Sequence, residues 1–271
     1  DGAANTLATL ATDGPAQPET WAKSAQIKIV ETPMILVTHT AKNDLHTGIQ
    51  RVVRETVRRW AAKHSVELVG FDSKAGVYRE LDAVERRRVL NWGEEPVSAE
   101  PGTESADHRS IVIPWGATIV IPELVGTPKE TAAIVATCRH ARSELVAILY
   151  DLIPYTFPEA CAHEMHAAFA AYMRVIRYAQ RISTISASVA DDLRGFANSS
   201  KGLGLSPPSV RAQLLPVHAH EVSTAEINQA RAALVGVPGI PMVLSVSSIE
   251  PRKNQITILT AAERLWREGQ A

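Results

Sequence analysis

Apolar positions in this chain fall into short unbroken runs, separated by longer stretches with a single apolar face. "PMILVTHTA" (33–41) is a β-branched run of strand type. "TGIQRVVRETVRRWAAKH" (47–64) then sets Ile49, Val52, Val53, Val57 and Trp60 at helical spacing, with Arg51, Arg54, Arg58 and Arg59 mostly off that face. "VELVGF" (66–71) reads as a strand and "DAVERRRVLNW" (82–92) as a helix whose Arg86, Arg87 and Arg88 form a solvated face; a polar loop bearing Pro and Gly follows to residue 109. Strand-like "SIVIPW" (110–115) and "TIVIPEL" (118–124) lead to a helix from Pro128 to Arg142. Strand "SELVAILYD" (143–151), helix 161–180, strand "RISTIS" (181–186), helix 187–198 and strand "SVRAQLLPV" (209–217) continue the alternation. A helix over 223–236 opens on the capping-box pattern Ser223-x-x-Glu226, and a strand from Met242 precedes a last helix, Asn254 to Glu268.

Strands alternating with helices, several of them apolar on both faces, predict an α/β fold with a mostly parallel sheet flanked by helices. Residues 1 to 25 have little periodicity and read as a lead-in. "VGVPGIP" (235–241) has the Gly and Pro density of an interdomain linker. A domain starting near Met242 would hold one strand and one helix here, too little for a core of its own.

With 271 residues, 45% hydrophobic and 21% charged, the chain can bury a sizeable core. A formal net charge of -1 gives no global pull toward nucleic acid or an anionic membrane. Cys138 and Cys161 form no C-x-x-C pair and suit a reducing compartment. No apolar run reaches the ~18 residues of a membrane-spanning helix. The chain opens on Asp1 rather than methionine, so its lack of a basic-then-apolar leader says little about targeting.

Candidate chemistry sits at three strand ends. In "HTGIQR" (46–51), Thr47 and Gly48 open a helix, where a glycine lets a ligand approach free backbone N–H groups; an ordinary turn is the equally weighted alternative. In "LYDLIPYTFPE" (149–159), Tyr150 and Asp151 end a buried strand; the acid is a substrate-binding candidate, with a cap on the following turn as the plainer reading. In "SIEPRKNQ" (248–255), Arg252 and Lys253 stand just before a helix, where the helix dipole disfavours cations unless an anion joins them; the alternative is a solvated loop. Neither G-x-G-x-x-G nor G-x-x-x-x-G-K-[ST] occurs, which disfavours a nicotinamide-dependent oxidoreductase. Cys161, His163 and His166 share a helix face but lack a further ligand and the H-E-x-x-H spacing, so no metal is assigned. His218 and His220 read as surface or core histidines.

"HTGIQRVVRE", "LYDLIPYTFPE", "ISTISASVADDL" and "LSVSSIEPRKNQ" together resemble bacterial glycosyltransferases of the GT-B fold, most of all the retaining family 4 or group 1 type. The resemblance covers about residues 33 to 268. It implies a Rossmann-like, acceptor-side N-terminal domain over 33–235 after a lead-in (1–32), then a linker (236–241). Residues 242–271 would be the first strand and helix of a donor-binding C-terminal domain. It implies transfer of a sugar from a nucleoside diphosphate sugar to a glycan or lipid-linked acceptor, as in O-antigen or capsule synthesis. By that likeness Arg252 and Lys253 contact the donor diphosphate, Gly48 faces it across the cleft, and Asp151 lies near the transferred sugar. Many relatives carry His where this chain has Tyr150. No cofactor or metal is implied, which suits the missing Asp-x-Asp motif. The family's E-x7-E motif lies downstream of the Arg-Lys loop, beyond Ala271, so these 271 residues alone are expected to be inactive. A cytoplasmic protein with no nucleic-acid partner is expected, with room for a peripheral contact at the inner face of the plasma membrane. The alternative is a non-catalytic glycosyltransferase-like module that binds or scaffolds.

Overall fold

A computed structural model describes residues 26–93, 110–204, 206–215, 222–235 and 242–270. The expected lead-in up to residue 25, His218, His220 and the linker 236–241 lie outside the described residues.

Among the described residues nine strands form one sheet, in the order β1-β5-β4-β3-β2-β6-β7-β8-β9. They are β1 (Ile27–Val30), β2 (Met34–Leu36), β3 (Glu67–Asp72), β4 (Val77–Glu80), β5 (Ile111–Pro114), β6 (Thr118–Ile121), β7 (Glu144–Leu149), β8 (Arg181–Thr184) and β9 (Ser209–Ala212). Every neighbouring pair is parallel except β3–β4 and β4–β5. The helices are α1 (Thr38–Lys42), α2 (Gly48–Lys63), α3 (Ala83–Leu90), α4 (Pro128–His140), α5 (Ile153–Thr156), α6 (His163–Ile176), α7 (Ala187–Ser200), α8 (Thr224–Val235) and α9 (Gln255–Arg267). The mostly parallel α/β sheet expected from the alternation is what the chain forms.

Both faces of the central strands are buried, which is why they read as continuous apolar runs. Ile35, Leu68 and Val120 point one way, onto Val53 and Val57 of α2 and Val89 of α3. Met34, Leu36, Phe71, Ile119, Ile121 and Leu149 point the other way, into a larger cluster with Ile134 of α4, Tyr172 and Ile176 of α6 and Leu193 of α7. The sheet is thus the middle of three layers.

Four local features differ from the sequence reading. Residues 27–30, inside the stretch read as lead-in, form β1, paired with β5. Lys28 ties it down by reaching Glu67 at 2.8 Å and Glu80 at 2.9 Å. The strand expected over 33–41 stops at Leu36, and Thr38–Lys42 is helical. The cause is remote: the Glu123 carboxylate accepts from the N–H groups of His39 (2.6 Å) and Thr40 (3.0 Å), satisfying first-turn donors of α1. β4, unread in the sequence, follows β3 through a turn in which Asp72 Oδ1 accepts from the N–H groups of Lys74 and Ala75, and Gly76 takes φ 74°. Finally, residues 242–250 form no strand. Val243, Leu244, Val246 and Ile249 are 65–94% exposed, and a segment with no strand beside it among the described residues has no ladder in which to pair its backbone groups.

Candidate functional site

β2, β6 and β7 lie side by side, and the chain leaves them in different directions. After β2 it runs to α2 on one face, and after β6 to α4 on the other. A crevice outside the carboxyl ends of the strands at such a divergence is where open α/β sheets hold ligands.

Hydrogen bonds stitch these ends together. Glu123, just past β6, is 3% exposed and also accepts from the Thr40 hydroxyl at 2.6 Å. Glu130, in the first turn of α4, accepts from the Thr38 hydroxyl at 2.6 Å. Tyr150, just past β7, donates its hydroxyl to the Pro122 carbonyl at 2.7 Å. Gln50 of α2 is 2% exposed, and its Oε1 accepts from the backbone N–H of Thr47 (3.0 Å) and the Thr47 hydroxyl (2.7 Å). Its Nε2 meets Nδ1 of the exposed His39 at 3.0 Å. Thr47 and Gly48 are thereby tied to α1, α1 to the end of β6, and the end of β6 to Tyr150.

The loop leading to Gly48 is fixed by Arg54. The helical spacing placed Arg54 off the buried face, but it is 5% exposed. Its guanidinium donates to the carbonyls of Leu45 (2.7 Å) and Arg88 (2.8 Å) and contacts His46 Nδ1 at 2.9 Å. The His46 ring stacks on Trp92 at 3.9 Å between centroids. Burial, aided by the Arg54 charge, pushes His46 below its usual range. Arg88, read as part of a solvated face, donates to the carbonyls of Ala41 and Lys42 at 3.3 Å.

The sequence candidates fare differently. Thr47 and Gly48 are exposed at the start of α2, and a methyl at Gly48 would meet nothing within 4 Å. The fold therefore does not demand glycine there; its smallness leaves the first turn of α2 open. Tyr150 is 6% exposed and braces β7 against β6. Asp151 is half-buried, and its Oδ1 accepts from the Ile153 N–H at 3.1 Å, the capping geometry of the plainer reading; Oδ2 has no partner among the described residues. Arg252 and Lys253 fall in a 3₁₀ turn, Pro251–Lys253, with Arg252 paired to Glu250 at 2.6 Å. Every hydrogen bond and ion pair described for residues 242–270 stays within that stretch, and none ties these cations to the sheet. His163 and His166 are 5.7 Å apart, and His166 Nε2 meets the Pro158 carbonyl at 2.9 Å. Among the described residues no three His, Cys, Asp or Glu side chains gather to hold a metal ion, and no helix is long and apolar enough to cross a membrane.

Glu123, Gln50 and His39 are the site residues that sequence reasoning missed. A signal was present for two of them. Glu123 closes an otherwise apolar strand, and Gln50 lies on the same helical stripe as Val53 and Val57. Burial pushes Glu123 up to about 7 against the pull of the Thr40 and His39 bonds, and the Glu130 carboxyl nearby adds to the rise. The folded chain therefore holds this proton more tightly than the unfolded chain, whose carboxyl titrates near 4.5. Its stability contribution is fully present below about 4.5 and is lost as pH rises to about 7. Across that window the wild type should lose about 3 kcal/mol relative to Glu123→Gln, which lacks the titration. Urea midpoints of both proteins from pH 4.5 to 7.5 check this, and parallel curves would refute it.

No family model matches the chain, and no solved structure matches it. Its sequence is similar to three Escherichia coli proteins, each described as the serotype-specific mannosyltransferase WbdA. Each is 25% identical over 235 residues, or 84% of this chain. The chain spans 27–28% of the length of these curated relatives.

Proposed function

We propose that the chain is the acceptor-side part of a retaining GT-B glycosyltransferase. It would serve transfer of a sugar from a nucleoside diphosphate sugar to a glycan or lipid-linked acceptor in O-antigen or capsule assembly. One observation carries the reading: the likeness to mannosyltransferases extends over 84% of the chain. The open first turn of α2, linked through Gln50 and His39 to the ends of β2 and β6, supports it, because an exposed helix N-terminus near a divergence of the sheet is where an anionic ligand group can sit.

In this proposal Gly48 admits the donor diphosphate to the start of α2, and Asp151 uses its free Oδ2 on a hydroxyl of the transferred sugar. Arg252 and Lys253 neutralise the leaving diphosphate, whose negative charge grows as the sugar–phosphate bond breaks. A leaving phosphate oxygen on the same face takes the acceptor's proton, so no separate strong base and no metal is required. Residues 242–270 belong to the donor side and act across a cleft.

The test is transfer of labelled mannose from a nucleoside diphosphate mannose to a lipid-linked oligosaccharide. It is run on the complete gene product and on the 271-residue chain side by side. Labelled acceptor with retained anomeric configuration is expected from the complete product, with negligible turnover by the 271 residues alone. A folded complete product that transfers no sugar from any nucleoside diphosphate hexose would remove the enzyme reading in favour of a binding module.

A further inference from the structure

The Gln50 side chain can be oriented in only one way. Two donors face its Oε1 position, the backbone N–H of Thr47 at 3.0 Å and the Thr47 hydroxyl at 2.7 Å. A backbone N–H cannot accept, so the amide oxygen must lie there and the NH2 must point at His39 Nδ1, 3.0 Å away. An NH2 only donates. Nδ1 of His39 is therefore the acceptor, and the ring proton sits on Nε2. The backbone of the same residue is pinned from below, where its N–H donates to buried Glu123 at 2.6 Å and its carbonyl accepts from Asn43 Nδ2 at 2.8 Å. The result is an exposed imidazole on a fixed backbone, in a fixed tautomer, at the end of β2, with no described residue accepting from Nε2.

We propose that His39 is a substrate-contacting residue of this site, donating Nε2–H to an oxygen of the sugar substrates, with Gln50 as the positioning residue that sets its tautomer. The proposal rests on the glycosyltransferase reading and deepens it. A ring protonated on Nε2 cannot take a proton there, so His39 binds and orients an oxygen rather than acting as a general base through that atom. The oxygen comes from the donor diphosphate or from an acceptor hydroxyl. Both offer lone pairs to an N–H, and the carboxylates beneath, Glu123 and Glu130, are already engaged with Thr38, Thr40 and the His39 backbone.

Two experiments test this. In ¹⁵N-histidine-labelled wild type, long-range proton–nitrogen spectra should show His39 with a bare Nδ1 and a protonated Nε2. In Gln50→Glu the carboxylate keeps one oxygen for Thr47 and turns the other to Nδ1, so the ring proton should move to Nδ1. A wild-type ring protonated on Nδ1 overturns the proposal without any variant. His39 is exposed, so His39→Ala and His39→Gln should fold normally. His39→Ala should lower kcat/KM roughly tenfold, and His39→Gln, which keeps a side-chain N–H, should recover part of the loss. A rise confined to the donor KM assigns the oxygen to the diphosphate, and one confined to the acceptor KM assigns it to a hydroxyl. Kinetics within twofold of wild type for both substrates overturn the proposal. If the protein transfers no sugar at all, the glycosyltransferase reading falls separately. The His39 ring signals titrated with inorganic pyrophosphate and with methyl mannoside then decide the contact, and no shift with either probe ends it.

Discussion

Arg79→Ala should lower the unfolding free energy by about 3–5 kcal/mol. Arg79 of β4 is 3% exposed and Glu85 of α3 is 6% exposed. The guanidinium meets the carboxylate with two bonds of 2.6 Å and donates to the Glu80 carbonyl at 2.9 Å. Glu85 also closes the capping box of α3, accepting from the Asp82 N–H at 3.1 Å. Removing the arginine strands a carboxylate in a space that has lost its countercharge and admits little water. Replacing both partners by leucine removes the stranded charge, so that double variant should recover most of the loss, short by the ~1 kcal/mol of a lost cap. Urea unfolding of the three proteins is the measurement. A loss under about 1 kcal/mol for the single variant would mean that water reaches the pair and that surface energetics apply.

The second large effect concerns activity. If Lys253 contacts the donor diphosphate, a charge-assisted bond of roughly 1.5–3 kcal/mol disappears in Lys253→Ala. kcat/KM should then fall by about one to two orders of magnitude. Arg252→Lys should also slow the reaction, because an ammonium cannot reproduce a planar two-pronged contact. Arg252 begins with a partner, Glu250 at 2.6 Å, that a phosphate must share or displace. Lys253 makes no ion pair among the described residues, so its substitution should cost the larger fraction of activity. Both variants should melt with the wild type, since these cations lie on an exposed turn. Donor KM, kcat and melting temperature separate this from a solvated loop, for which unchanged kinetics are expected.

The architecture was legible wherever burial on both faces made a strand continuously apolar. β6 and β3 are of that kind, and β7, buried on one face and half-buried on the other, reads the same way. β4 was not legible because "VYRE" alternates too briefly and owes its place to a glycine turn and a buried ion pair. β1 was lost in a lead-in of small residues, since its one buried apolar residue is Val30. α1 was misread because "VTHTA" has β-branched character, while the carboxylate that makes it helical comes from Glu123, far along the chain. The candidate site followed the same rule. Thr47 and Gly48 stood out at the opening of a helix, and Tyr150 and Asp151 at the end of a strand, which is local information. Tyr150 proved to be a brace, and the tautomer of His39 depends on a glutamine from another element. No spacing in the sequence encodes that contact.

The pairing partners of β2 have a consequence for how the molecule comes into being. Met34 pairs with Glu67 on one side and with Ile119 on the other. During synthesis β3 is available early, but the second flank of β2 does not exist until β6 has left the ribosome. The carboxylate that turns Thr38–Lys42 into a helix sits two residues past β6, so it arrives at the same moment. Until then the nascent N-terminal segment carries an unpaired apolar strand edge, the kind of surface that invites association with another chain. Met34 and Ile119 are far apart along the chain, so this pairing is expected to form more slowly than the more local β6–β7 pairing. The candidate site beside β2 and the β2–β6 seam therefore take shape together, once β6 has been made.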